Sequence, residues 1–382
     1  MALGNIVKVI NDQGFAVHLL RNCVCCARNK NIAVLLTDDL ETGHPRARAI
    51  AIDNAGLIDA TPEGSLVLHD QNMSDPGLIH YYEDVFIAIT QDDSGFVRLL
   101  SFLVSDAGVI PANRADLLQI ETASSINFIS DLLRVHDHVL LTGESYPAPT
   151  KHVETVICSF LGIFEDPAED SLVFSDRPRQ QRFRHGSGNR IVAAFSAAYH
   201  INIASFTCTA SGTVPATPTD TWDSFTSATE HLSLCKVTDL VYAIFTLDVG
   251  GNAVIRTFSI KTDGDINKSF LATKTVEAAQ TDPAFMYEIG GGYFIVAYGV
   301  SGIPGRLRTY HISDDGTTIT GPTGSLDITS NTFNKVSICH LAGDIWAMAF
   351  NGSATEILLY TLEIETPTEA VPHHEMLIGM GP

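Results

Sequence analysis

Apolar residues along this chain come in short runs separated by polar gaps, and the runs recur at a fixed interval. VYAIFTLDVGGNAVIRTFSIKTDGDI (241–266), YFIVAYGVSGIPGRLRTYHISDDGTTI (293–319) and VFIAITQDDSGFVRLLSFLVSDAGVI (85–110) each read as a strand, a polar gap, a second strand and a tight Asp/Gly turn. The turn glycines Gly56, Gly108, Gly162, Gly212, Gly264 and Gly316 are separated by 52, 54, 50, 52 and 52 residues. The residues ending the second strands, Leu36, Ile89, Thr142, Phe195, Phe245, Tyr298 and Phe350, are spaced by 53, 53, 53, 50, 53 and 52. Two independent rulers therefore give one period.

Several short strands in a unit of this length are the sequence mark of a β-propeller. The units predicted are about 22–70, 77–122, 126–176, 181–227, 231–278, 284–329 and 334–380, and each divides into four strands. The expected fold is all-β: a seven-bladed propeller of four-stranded antiparallel blades in one domain over 1–382, its ring closed by terminal strands. Period-two alternation shows in RLRTYHIS (306–313), whereas IVAAF (191–195) and FIVAY (294–298) are nearly continuous apolar runs. Continuous runs suit strands covered on both faces by neighbouring blades, and alternation suits strands nearer the rim. The alanines Ala88, Ala193, Ala243, Ala297 and Ala347 suit tight packing toward the middle of the ring.

A helical stripe is nearly absent; RADLLQIETASSINFISDLLRV (114–135) comes closest, and it also fits two strands in register. Residues 374–380 fall where a fourth strand of the seventh unit belongs, yet residues 5–10 and 15–20 are strand-like too. A hairpin within 1–21 is expected to close the ring or to make an oligomer contact, because an unpaired sheet edge invites aggregation.

Hydrophobic residues make up 45% of the 382 and charged ones 18%, enough for an extensive core. The formal charge is −21, from 44 acidic and 23 basic residues, and a field of that sign repels nucleic acid and anionic lipid. No stretch of about 18 apolar residues occurs, so no membrane-spanning helix is expected. The amino terminus lacks a basic leader followed by an apolar core, so the chain as written is expected to be made in the cytoplasm and to be virion-associated.

The candidate chemistry is sparse. Seven cysteines sit mostly on predicted strands and read as buried thiols, with Cys23, Cys25 and Cys26 the one cluster. The recurring Asp-x-Gly lacks the converging oxygens of a calcium loop and reads as hairpin chemistry. GESYP (143–147) resembles a nucleophile elbow, but Pro147 stands in place of the final glycine and Ser145 reads as a loop residue. The acidic pairs Asp38–Asp39 and Asp92–Asp93 follow the second strands of units one and two, and could line one mouth of the ring. His136 and His138 flank Asp137 at the entry to a second strand, a spacing that puts both on one strand face. These six residues and the loop aromatic Tyr146 are the binding candidates. No catalytic set, metal site or cofactor is expected.

The repeated words are the apolar strand ending in an aromatic (YAIF, IVAY, WAMAF), the third strand (IRTFSI, LRTYHI, LLYTLEI) and the D-G turn. In these the chain resembles the degenerate repeats of seven-bladed β-propellers of uncharacterised microbial and viral type; the signatures of WD and kelch repeats do not recur unit by unit. That resemblance implies two rigid loop faces suited to recognition. It points to a non-enzymatic binding or structural module, such as a tail, fibre or surface protein of a microbial virus, meeting protein or glycan partners within an oligomer or larger assembly. The alternatives are a carbohydrate-active enzyme using paired carboxylates at the mouth and a cytosolic interaction scaffold.

Overall fold

Among the described residues, twenty-eight strands form seven four-stranded sheets. The computed structural model describes residues 4–16, 24–38, 42–70, 73–92, 96–119, 132–137, 139–145, 151–165, 170–174, 178–197, 200–226, 232–278, 281–300, 303–328, 336–353 and 356–365. Among them there is no helix. The part of 114–135 that is described is strand at both ends.

The chain opens with β1 (Ile6–Ala16). Sheet one is then β2 (Val24–Asn29), β3 (Ile32–Asp38), β4 (Pro45–Ala51) and β5 (Gly64–Val67). Sheet two is β6 (Met73–Tyr82), β7 (Val85–Asp92), β8 (Val97–Leu103) and β9 (Asp116–Gln119). Sheet three is β10 (Leu132–His136), β11 (Val139–Ser145), β12 (Lys151–Ile157) and β13 (Asp170–Phe174). Sheet four is β14 (Pro178–His185), β15 (Arg190–Ala197), β16 (His200–Thr207) and β17 (Asp220–Thr226). Sheet five is β18 (Leu232–Lys236), β19 (Val241–Leu247), β20 (Ala253–Ser259) and β21 (Ala272–Glu277). Sheet six is β22 (Thr281–Gly290), β23 (Tyr293–Val300), β24 (Ile303–Ile312) and β25 (Ile319–Ile328). Sheet seven is β26 (Val336–Ala342), β27 (Ile345–Ser353) and β28 (Glu356–Ile364), and its fourth strand is β1.

Every strand pairs antiparallel with its neighbour, and the seven sheets are the blades of a β-propeller. Burial grades outward as the run patterns require. All seven residues of β19 are buried, and Ala88, Ala193, Ala243, Ala297 and Ala347 are all sealed between sheets. The outer strand β21 carries only half-buried and exposed residues.

The ring closes through the amino terminus. β1 runs antiparallel to β28, from Ile6 opposite Ile364 to Ala16 opposite Glu356, with two bulges. Ile6 and Phe15 are buried by this pairing. Residues 17–23 and 374–380, which include strand-like runs and Cys23 of the cysteine cluster, lie outside the described residues.

A repeated polar latch ties six of the seven sheets to the next. Ser101 Oγ donates to the Gly162 carbonyl at 2.5 Å, Thr155 Oγ1 to Gly212 at 2.7 Å, Ser205 Oγ to Gly264 at 2.5 Å and Thr257 Oγ1 to Gly316 at 2.6 Å. Thr361 Oγ1 reaches Gly56 at 2.5 Å, and Thr309 Oγ1 donates to the carbonyl of Gly4. Each hydroxyl lies on a third strand, and each acceptor is the turn glycine of the following sheet. Gly4 thus takes the seventh turn position, 52 residues before Gly56. The Gly4 amide donates to Glu365 O at 2.8 Å, as the Gly56 amide donates to Asp53 O at 2.9 Å, so one turn geometry is assembled from both ends of the chain. Both glycines have φ in the left-handed region, +75° and +82°, where a side chain would be strained.

The seventh latch position is Ala49, which is fully buried and has no hydroxyl. Serine fills the matching place in sheets two and four, so the repeat geometry itself shows room for it. Ala49→Ser is expected to add a hydrogen bond to the Gly108 carbonyl and to stabilise the protein by about 0.5–1.5 kcal/mol. Thr361→Val should cost about 1–3 kcal/mol by stranding a buried carbonyl. Denaturant midpoints for both variants check the pair; a destabilised Ala49→Ser would refute the latch as the organising contact.

Candidate functional site

An antiparallel up-and-down blade sends its connections to opposite ends of the ring. First-to-second hairpins and third-to-fourth turns share one end, and second-to-third loops share the other with the links between sheets. This topology separates the sequence candidates. Asp38 ends β3 and Asp92 ends β7, both at the second-to-third end, whereas His136 ends β10 at the opposite end. Asp39, Asp93, His138 and Tyr146 lie outside the described residues. His136 is half-buried, and its Nε2 lies 2.9 Å from the Cys208 carbonyl of the next sheet, so its ring helps join two sheets. Asp38 and Asp92 therefore belong to one end of the ring and His136 to the other.

The hairpin-and-turn end is well defined between sheets one and four. Arg28, just after the start of sheet one, donates through Nε to Val104 O at 2.8 Å and pairs with Asp106 at 3.1 Å and with Asp84. Next round the ring, Tyr81 Oη donates to the carbonyls of Asp137 (2.8 Å) and Cys158 (2.6 Å). Arg134 lies 5.3 Å over the Tyr81 ring, donates to Tyr81 O at 2.7 Å and pairs with Asp137 at 3.0 Å. His185 Nε2 meets Arg134 O at 2.9 Å, and burial holds its pKa below the usual histidine value. Tyr242 Oη then donates to His185 O at 3.3 Å. The cations and aromatic hydroxyls here are committed to neighbouring sheets, which makes this end a fixed frame carrying its exposed turns.

Those turns keep the glycine legible in sequence, but their side-chain acceptor varies. In sheets two, three and four it is Ser105, Ser159 and Thr209, which accept from the amides of Val109, Ile163 and Thr213 at 3.0 Å. Asp serves in sheets one and six. Asp53 Oδ1 accepts from the amides of Ala55 and Leu57, each at 2.8 Å, and Asp315 Oδ1 accepts from Thr317 N at 3.0 Å. A second side-chain acceptor recurs at one repeat phase of the fourth strand. Asp116 Oδ2 accepts from Phe164 N at 2.8 Å and Asp220 Oδ2 from Ile266 N at 3.0 Å; Asn11 Oδ1 does the same for Ile58 N at 3.0 Å. At Asp220 burial opposes ionisation, but the Ile266 amide and the Lys268 ammonium outweigh it, and the carboxyl is held below its ordinary range. These acids are structural acceptors. Sequence reasoning missed them because each lies far from its turn along the chain; their signal is a polar residue at the same repeat phase, Asn11, Asp116 and Asp220.

Cys25, Cys26, Cys158, Cys208, Cys235 and Cys339 are all buried free thiols. Cys235 lies on β18 and Cys339 on β26, as expected, while Cys158 and Cys208 fall one residue beyond the third strands β12 and β16. Burial pushes the thiols of Cys158 and Cys235 up to about 12, which leaves them protonated and unreactive. Among the described residues no three His, Cys, Asp or Glu converge as a metal site would require. A cleft of about 380 Å³ between sheets one and two is lined by His44, Val67, Leu68, His69, Asp70 and Arg114. Within it Arg114 donates to Leu68 O at 2.7 Å and His69 lies 3.5 Å from Asp70. No described helix is long and apolar enough to cross a membrane.

No family model matches the sequence, and no curated protein matches it. Solved structures do match. The WD40 domain of Toxoplasma gondii coronin superposes with a TM-score of 0.59 at 11% identity, over 97% of this chain and 90% of that one. A putative 6-phosphogluconolactonase from Bacteroides uniformis gives 0.57 at 10% identity, over 78% and 83%. Sqt1 from Chaetomium thermophilum gives 0.55 at 11%, over 94% and 100%. At such identities the likeness is one of fold, and what this chain shares with all three is the β-propeller.

Proposed function

We propose that this chain is a non-enzymatic recognition and structural module, and that its setting is the tail, fibre or surface of a microbial virus. The observation that carries the reading is the committed frame. The hydroxyls of six of the seven sheets latch onto the following turn, and Arg28, Tyr81, Arg134 and Tyr242 spend their polar atoms holding sheets together. Such a frame presents loops without ordering cost on binding, which favours recognition of a protein or glycan surface. The acidic composition, with a formal charge of −21, favours dispersal of a densely repeated component and disfavours nucleic acid as the partner.

Two measurements test it together. Antibody against the purified chain is expected to detect it in gradient-purified particles of the source virus and to label them by electron microscopy. The same preparation is expected to leave a panel of glycans and sugar lactones unhydrolysed. Turnover of any member, lost on replacing Asp38 and Asp92 by Asn, would overturn the reading in favour of a hydrolase.

A further inference from the structure

The residue after the turn glycine is the same place in seven repeats, and its chemistry divides the ring. In sheets one, two and three it is Leu57, Val109 and Ile163, which are 53%, 57% and 46% exposed. In sheets four to seven it is Thr213, Asp265, Thr317 and Asn5. Sheet three adds Leu161, 75% exposed, and Phe160, whose ring packs 4.4 Å from that of Tyr82 on sheet two. The turn backbone is closed in six sheets by a glycine amide bonding back three residues, and in the seventh by the Gly4 amide bonding to Glu365 O. Four sheets build that turn with polar residues, so folding does not require an apolar one. Three successive sheets nevertheless hold large aliphatic side chains in water, which costs about 25 cal/mol for each Å² that a partner would cover.

The surroundings are mostly acidic. Asp53, Asp59, Glu63, Glu83 and Glu165 are exposed beside the three turns. Of the cations at this end, Arg28 is held between Asp84 and Asp106 and Arg134 by Asp137, while Lys30 is exposed. An apolar arc rimmed by carboxylates complements a surface that interleaves large apolar side chains with lysine or arginine. It repels anionic lipid, and it repels a second copy of itself, whose matching arc bears the same sign.

We infer that the third-to-fourth turns of sheets one to three form a docking arc for a basic, apolar segment of a partner protein. The inference rests on the reading of the chain as a recognition module, and it assigns that role to one end and one side of the ring. Leu57, Val109, Leu161 and Ile163 are the anchors, and the carboxylates set the sign of the partner.

The test uses the full chain and substitutions borrowed from its own polar turns: Leu57→Thr, Val109→Thr and Ile163→Thr, as at Thr213 and Thr317, with Leu161→Ser, as at Ser211. The probe is a short amphipathic peptide of leucine and lysine, with a leucine–glutamate peptide of the same pattern as its counterpart, read by fluorescence anisotropy. The parent chain is expected to bind the lysine peptide and not the glutamate one. The fourfold variant should keep the parent's melting midpoint and bind at least about tenfold more weakly. Val249→Thr, at the opposite end of sheet five and 70% exposed, should leave binding unchanged. Equal binding by parent and fourfold variant overturns the assignment of the arc while leaving the recognition reading intact, as does weakened binding in Val249→Thr alone. No binding of the lysine peptide by the parent overturns the basic partner. A concentration-dependent dimer that the fourfold variant disperses overturns it in favour of a second copy. Hydrolysis of the glycan or lactone panel, by contrast, would strike the recognition reading itself.

Discussion

Deletion of residues 1–16 is expected to open the ring and leave the chain aggregating instead of merely less stable. β1 buries Ile6 between sheets six and seven and Phe15 between sheets seven and one, and their loss removes about 1.5–3 kcal/mol each. The Thr309–Gly4 latch goes with them, as does the Asn11 acceptor for Ile58. Summed, these losses approach the whole stability of an ordinary domain, about 5–15 kcal/mol. β28 would meanwhile become a bare edge, with Leu359 and Leu362 uncovered. The sharper measurement is a permuted chain. Glu365 and Gly4 occupy the turn places that Asp53 and Gly56 hold in sheet one, where two residues intervene. Joining Glu365 to Gly4 through the dipeptide Asn-Ala, and beginning the chain at Cys23, should restore a soluble ring with a covalent seventh turn. Size-exclusion elution and the melting midpoint of the permutant, compared with the parent, decide it. A permutant that aggregates like the deletion would mean that β1 is not the fourth strand of sheet seven.

The repeat was legible in sequence because turn glycines and second-strand apolar runs are dictated locally. Gly56 must adopt a left-handed φ, and a strand such as β19 must be apolar throughout because sheets cover both its faces. Closure was legible only in outline. Residues 374–380 and the amino-terminal runs both look like strands, and nothing local tells which pairs with β28. The deciding signal is one of phase: Gly4 lies 52 residues before Gly56, so the repeat frame begins inside the seventh unit. The candidate sites were least legible. Asp38, Asp92 and His136 read in sequence as polar residues beside loops, but which end of the ring a loop reaches is a property of topology. The exposed Leu57, Val109 and Ile163 left a plainer trace, since comparing one position across seven repeats separates what the fold needs from what it merely allows.

Whether the ring melts as one body is the remaining consequence of closure, and Trp346 is the place to ask. It is fully buried on β27, between Leu362 of β28 and His340 of β26, and packs with Ile338, Met348 and Phe350 against Tyr287, Ile295 and Leu307 of sheet six. Trp346→Ala is expected to cost about 3–5 kcal/mol through the cavity it leaves. Trp346→Phe should cost a fraction of that, because among the described residues the indole Nε1 has no hydrogen-bond partner to lose. Either variant leaves Trp222, on β17 of sheet four, as the only tryptophan of the chain. Its fluorescence then reports a sheet across the ring from the lesion. If the six latches, with the apolar packing between sheets one and two, couple the ring all the way round, the Trp222 transition and the far-ultraviolet circular dichroism of Trp346→Ala shift together to lower denaturant, relative to Trp346→Phe. A Trp222 transition that stays at the Trp346→Phe midpoint while the dichroism splits into two steps would mean that sheets six and seven come away alone, and that the latches do not carry cooperativity around the ring.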